Sequence, residues 1–256
     1  MYGLGVNKLG ASNTGDPIAK LFAGGEKGAW YDISDLSTLF QEDGTTPAAV
    51  GQEVGKILDK SGNGNHLVQT TTADCPLLQV ENGRYYLDFR GDEGLQTAAN
   101  ISFNSGDALT ICAGVEKDTD ATMVVAELSP NIGSNNGAFR LASISGNIWR
   151  YSSKGTNVIN TNENEYPAGS KNVVTGLSDI SDDTVKLRVD GVEEASSTSD
   201  QGTGPFGDYK LNVGARNDAG SLELDGKLYG LVVRGVVSNT AELAALESYM
   251  ARKAGT

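Results

Sequence analysis

Cysteine is scarce in this chain. Cys75 and Cys112 are the only two in 256 residues, too few for a disulfide framework. Histidine is scarcer still: His66 stands alone. No HExxH, no CxxC and no histidine cluster occurs, which excludes the usual zinc chemistries. No GxSxG elbow accompanies His66, so a serine triad has no nucleophile signal. No stretch approaches the roughly 18 apolar residues of a membrane-spanning helix. Basic residues are outnumbered, 20 Lys and Arg against 33 Asp and Glu, and the net charge is −13. A chain this acidic is a poor partner for a phosphate backbone. The first residues, Met1 to Gly10, lack the basic, apolar and small-residue succession of a signal peptide. These absences predict a soluble acidic protein assembled in a reducing cytoplasm, with no nucleic-acid or membrane partner.

Glycine is plentiful, 33 of 256 residues against only six prolines, nearly twice the usual share of about 7%. That excess predicts many tight turns. Residues 1–28 form a Gly-rich arm whose apolar handles are Leu4, Val6, Leu9, Ile18, Leu21 and Phe22. Glycine loses much entropy on ordering, so the arm is expected to order against a partner. Residues 29–256 are expected to form one domain.

Beyond Trp30 short runs with period-2 character recur every 10–15 residues or so, bounded by turn residues. They are 30–33, 67–71, 77–80, 84–89, 108–115, 122–128, 138–144, 148–151, 158–161, 171–177, 184–189, 209–213, 222–224 and 226–233. Val185, Leu187 and Val189 alternate with Lys186 and Arg188, and Asp190-Gly191 then supplies a hairpin turn. Residues 35–40 read as a short helical turn. The one long helix is predicted over 239–254. Asn239 or Thr240 caps it, Glu242 sits in its first turn, Leu243, Leu246 and Met250 form its apolar face, and Gly255 stops it. Strands without intervening helices predict an all-β antiparallel jelly-roll sandwich, with the Gly-rich arm before it and the helix after it.

The segments LFAGGEKGAWYDISDLSTLFQEDGTTP, ILDKSGNGNH and YYLDFRGDEGL resemble the opening of concanavalin A-like (laminin-G-like) jelly-roll proteins of phage and prophage virions. VKLRVDGVEEASS, KLNVGARNDAGSLELDGKLYGLVV and ELAALESYMARKAG resemble the end of the same fold, so the likeness covers roughly residues 20–256. It implies a structural virion component, on a tail fibre or as a head decoration. Its partners would be other virion proteins, copies of itself (a trimer by analogy) and a host-surface glycan. Assembly would take place in the host cytoplasm. A stand-alone carbohydrate-binding lectin and a polysaccharide depolymerase are the alternatives.

Glucanases on this fold use an E-x-D-x-x-E strand. Here Glu223 and Asp225 are followed by Leu228 where the third acid belongs, so no catalytic residue is assigned. For sugar binding, the candidates are Asn131, Asn135 and Asn136 in a Gly-rich loop, with Trp149 and Tyr151, and Arg150 between them, on the next strand. Loop amides bond hydroxyls and aromatic faces stack on sugar rings. Trp149 fits a core position equally well. Asn157, Asn160, Asn162 and Asn164 surround the strand that follows. Asp59, Ser61, Asn63 and Gly64 match the start of a calcium loop, but Thr70 stands where the chelating Glu belongs, which excludes an EF-hand. Two readings of that segment remain: a turn held by side-chain to backbone bonds, or an oxygen-lined Ca2+ site at Asp59, Ser61 and Asn63. No other cofactor is expected. Cys75 and Cys112 read as free thiols, with a bridge between them left open.

Overall fold

A computed structural model describes residues 15–103, 105–163 and 165–256. Its elements open with a short helix α1 (Pro17–Lys20) and strands β1 (Gly28–Asp32), β2 (Leu39–Phe40), β3 (Lys56–Ile57) and β4 (Leu67–Val68). Then come β5 (Leu77–Glu81), β6 (Arg84–Arg90), β7 (Leu95–Thr97), β8 (Ala108–Lys117), β9 (Met123–Leu128) and β10 (Ala138–Ile144). The chain continues through β11 (Ile148–Lys154), β12 (Val158–Glu163), β13 (Lys171–Asp179), β14 (Thr184–Val189), β15 (Val192–Ser197), β16 (Leu211–Val213) and β17 (Asp225–Arg234), and closes with helix α2 (Thr240–Ala254). Two antiparallel sheets face each other. One runs β15-β14-β13-β8-β17-β6-β5, with β1 beside the second half of β17. The other runs β12-β11-β10-β9-β16-β7-β4-β3-β2. This is the all-β jelly-roll sandwich that the strand spacing predicts.

Alternation decides what fills the space between the sheets. Val185, Leu187 and Val189 of β14 are fully buried in the main core, while Lys186 and Arg188 point outward. The turn after β14 has Asp190 at φ 50° and Gly191 at φ 84°, the two left-handed residues of a two-residue hairpin matched to strand twist. Opposite them, Phe139, Leu141, Trp149 and Tyr151 come from the second sheet. Gly176 of β13 is required here: a Cβ on it would lie 2.3 Å from Cδ2 of Tyr151.

The first sheet carries the helices on its outer face. Asn239 accepts the backbone N–H groups of Ala241 (3.0 Å) and Glu242 (3.1 Å), and the Glu242 carboxylate accepts Asn239 N–H (2.9 Å), a complete capping box. Gly255 at φ 83° ends the helix. Leu246, Tyr249, Met250 and Ala254 are its buried apolar residues. Leu246 and Met250 are buried as the apolar face predicts, and Leu243 alone of the three is only half-buried. No helix among the described residues is long and apolar enough to cross a membrane.

The arm also differs from expectation. Ile18, Leu21 and Phe22 pack with Trp30, Cys112, Val173, Val232, Leu246, Tyr249 and Met250 in a second apolar core outside the first sheet. Asp16 caps α1 by accepting Ile18 N–H (2.9 Å). The buried Arg234 guanidinium donates twice to Leu21 O (3.1 and 2.9 Å). These three side chains are therefore sequestered within their own chain and are not handles for a partner. Residues 15–28 belong to the domain. Leu4, Val6 and Leu9 lie outside the described residues.

Residues 222–224 form no strand, because Leu222 takes φ 54°. Gly226 lies within β17, where the run 226–233 puts it. β15 escaped prediction because it is an edge strand whose Glu193 and Glu194 follow one another, which hides alternation. β2, β3 and β7 have two or three residues each, too few to show a period. Both cysteines are free and buried, and burial pushes each thiol up to about 12, so both are unreactive at neutral pH.

Candidate functional site

The expected sugar-binding residues divide by strand direction. Trp149 and Tyr151 point inward and are fully buried. Trp149 Nε1 donates to Asn172 Oδ1 (3.1 Å), and the Tyr151 hydroxyl bonds the Ser178 hydroxyl (2.7 Å). No sugar can stack on either ring, and both are corrected to core residues. Asn131 and Asn135 serve their own loop: Asn131 Oδ1 accepts Gly133 N–H (2.8 Å), and Asn135 Oδ1 accepts Asn131 N–H (3.2 Å). Asn136 is exposed, and its carbonyl accepts the Tyr209 hydroxyl (3.1 Å). Lys154 fastens this loop to β11 by donating to Ile132 O (3.1 Å) and Gly133 O (3.0 Å). Asn164 lies outside the described residues.

The residues between the inward ones matter instead. Arg150, Ser152 and Lys154 alternate with Trp149, Tyr151 and Ser153, so they face outward from the second sheet. Register then builds a row across that face. Asn160 pairs with Ser152, Ser152 with Arg140, Arg140 with Glu127, Glu127 with Asn212, and Asn212 with Gln96. The row is amide, hydroxyl, guanidinium, carboxylate, amide, amide. Ser152 donates to Asn160 Oδ1 (2.7 Å), and Asn212 Nδ2 donates to Ser129 O (3.0 Å).

Charge within the row is uneven. Glu127 is fully buried and its oxygens are occupied. Arg216 donates Nε to Oε2 (3.0 Å) and Nη2 to Oε1 (3.3 Å), and Ile132 N–H donates to Oε1 (2.6 Å). Arg140 makes no side-chain hydrogen bond or ion pair among the described residues, and its Nε is buried without a partner. Burial pulls Arg140 below its ordinary value; Glu127 opposes that, and Arg216 and Arg150 add to it. Burial likewise lowers Arg150, whose one side-chain bond among the described residues is Nε to Asn162 Oδ1. Arg140 was missed in sequence because nothing local distinguishes it; only its place opposite Glu127 does.

The calcium expectation fails on hydrogen-bond polarity. The Asp59 carboxylate already accepts four donors: Trp30 N–H (2.9 Å), Ser61 N–H (2.9 Å), Ser61 Oγ (2.8 Å) and Asn65 N–H (2.9 Å). Asn63 turns its NH2 inward, to Glu26 O (3.0 Å) and Gly28 O (3.1 Å). A cation needs oxygens where this loop presents hydrogens. The segment is a turn that positions the start of β1, and His66 Nδ1 completes it by accepting Asp59 N–H (3.0 Å). Among the described residues no group of three or more His, Cys, Asp or Glu could hold a metal.

Asp225 lies beside Asp88 and Asp118 on the first sheet. Burial raises both neighbours, Lys227 opposes it, and Asp225 adds to the rise. Glu223 precedes β17 and is half-buried.

No family model matches the chain, and no curated protein does. Solved structures do resemble it. Domain 4 of an extracellular arabinanase from Geobacillus stearothermophilus, in complex with arabinotriose, aligns at a TM-score of 0.58 with 14% identity, over 87% of this chain and 98% of that one. The botulinum neurotoxin serotype D ligand-binding domain, in complex with N-acetylneuraminic acid, aligns at 0.54 with 10% identity, over 75% of this chain. This chain spans about half of that one, 48%. A heptameric SAP-like pentraxin from Limulus polyphemus aligns at 0.51 with 13% identity, over 64% of this chain and 82% of that one. These likenesses show the all-β jelly-roll sandwich fold.

Proposed function

We propose that this chain is a non-enzymatic carbohydrate-binding domain, displayed on a phage-type virion, which takes host-surface glycan on the outer face of the second sheet. The observation that carries this is the transverse row from Asn160 to Gln96 across five adjacent strand pairings, in which the exposed Asn160 and the half-buried Arg140 and Gln96 are reachable and Ser152, Glu127 and Asn212 are buried. Sugar hydroxyls are recognised by such arrays of neighbouring donors and acceptors. Two of the similar structures hold a saccharide in their own sites, which supports the choice of ligand class. The virion setting is supported by the sequence resemblance of residues 20–256. Weak single-site contacts suit that setting, because many copies on one particle multiply them into firm attachment.

The absence of a third acid after Glu223 and Asp225 supports binding without hydrolysis. The full chain on a glycan array tests the proposal. Capture of defined oligosaccharides, with no reducing ends released from them, is the expected result. Release of reducing ends that stops in Asp225→Asn would favour the depolymerase instead. Immunolabelled particles, compared with a strain lacking the gene, test the setting. Label at a tail tip with adsorption lost in the deletion places the domain on the attachment apparatus. Label over the head with adsorption intact makes it a decoration, and label on no particle removes the virion from the proposal.

A further inference from the structure

We infer that the ligand of the second sheet's outer face is an acidic saccharide, whose carboxylate or sulfate is held between Arg140 and Arg150. The inference rests on the glycan-binding proposal and names the chemistry of the same site.

Arg140 stands opposite Glu127, and the guanidiniums of Arg216 and Arg150 both act on it, in a chain whose net charge is −13. That carboxylate is spent: both oxygens of Glu127 are held by Arg216, and one also by Ile132 N–H. Lys154 is turned away, onto two loop carbonyls. Arg140 and Arg150 are therefore left as two half-buried cations without an ion pair among the described residues. A like-charged, partly desolvated pair is costly when empty. An anion between them removes that cost, and a neutral sugar does not.

The geometry suits such an anion. Arg140 lies opposite Ser152, so Arg150 is its diagonal neighbour on the same face, with Cα atoms about 7–8 Å apart. Two planar forks at that spacing can each give paired N–H bonds to one carboxylate or sulfate, as an ammonium cannot. The buried, unpartnered Nε of Arg140 keeps this guanidinium close to the sheet and leaves its terminal nitrogens to the ligand. Asn160 beside it and Asn162 on Arg150 are exposed and are placed for the hydroxyls of the same sugar, while the buried Ser152 hydroxyl holds Asn160.

Titration calorimetry of the full chain tests this with oligogalacturonate, sialyllactose and a chondroitin sulfate oligosaccharide, each against an uncharged counterpart. At least one acidic probe is expected to bind more tightly than its neutral counterpart, and less tightly as salt is raised. Arg150→Ala and Arg140→Ala are each expected to weaken it about tenfold or more. Arg150→Lys keeps the charge without the fork and should fall between. Carboxylated and sulfated probes compared with one another show which anion is read. Neutral and acidic probes bound equally would overturn the inference and leave glycan binding standing, as would acidic binding that neither arginine variant changes. Failure of every saccharide, charged or neutral, would overturn both. Thermal unfolding of each variant shows that it remains folded, and Arg150→Lys serves where Arg140→Ala does not.

Discussion

The two outer faces of the sandwich are built on opposite principles. On the first sheet, α1 and α2 seal an apolar layer in which Trp30 meets Tyr249 edge-on at 6.0 Å between ring centroids. Its main ionic contact is closed: Asp32 accepts Lys253 (2.8 Å) and Lys60 (3.0 Å). On the second sheet, loops rather than helices flank a row of polar groups, and two guanidiniums make no ion pair among the described residues. A face that satisfies itself adds stability. A face that leaves charge unpaired gives up stability, and such faces belong to binding sites. Substitutions on the two faces should therefore move stability in opposite directions.

The largest effect is expected at Trp30. It is 1% exposed, and Trp30→Ala should cost about 3–5 kcal/mol by opening the layer under α2. Urea unfolding measures this, and a loss below about 1 kcal/mol would mean that the helices are not held by that layer.

Asp32 comes next, through pH. Burial alone would raise its carboxyl. Hydrogen bonds from Lys253 and Ser34 and the charges of Lys253 and Lys60 outweigh burial and hold it well below the usual carboxylate range. A group depressed in the folded state stabilises fully above its unfolded pKa of about 3.9, and that stability is lost as pH falls toward the folded value. The urea midpoint should decline below about pH 4–5. Asp32→Asn should lower it at neutral pH by about 1–3 kcal/mol and decline less steeply in acid. Parallel acid limbs in the two proteins would remove Asp32 from the acid sensitivity of this face.

Arg140→Met should have the smallest effect and the opposite sign. It removes a half-buried charge that makes no ion pair among the described residues and keeps the apolar stem, so stability should hold or rise by up to about 1 kcal/mol. Saccharide binding should fall in the same variant. A clear loss of stability on calorimetric melting would show that Arg140 is a structural residue and would erase the contrast between the faces.

Much of the architecture was legible wherever the cause is local. Residues 184–189 and the Asp190-Gly191 turn fall where their alternation and φ preferences put them. The capping box at Asn239 and the stop at Gly255 depend only on neighbours within one turn. The candidate site was half legible. Alternation shows that Trp149 and Arg150 take opposite faces, but not which face is the core, so spacing alone does not separate the ring from the guanidinium as a site residue.

That choice belongs to packing. Tyr151 lies inward because Gly176, from another strand, leaves room for its ring. Asp59 matches a calcium loop by spacing, and only the approach of Trp30 N–H, 29 residues away, fills its carboxylate instead. Arg216 and Glu127 stand 89 residues apart and meet because β16 pairs with β9. Strand and turn types follow from forces that act within a few residues. Which charges lie together, and which lack a partner, follows from register between strands distant in the chain, and no local spacing records it.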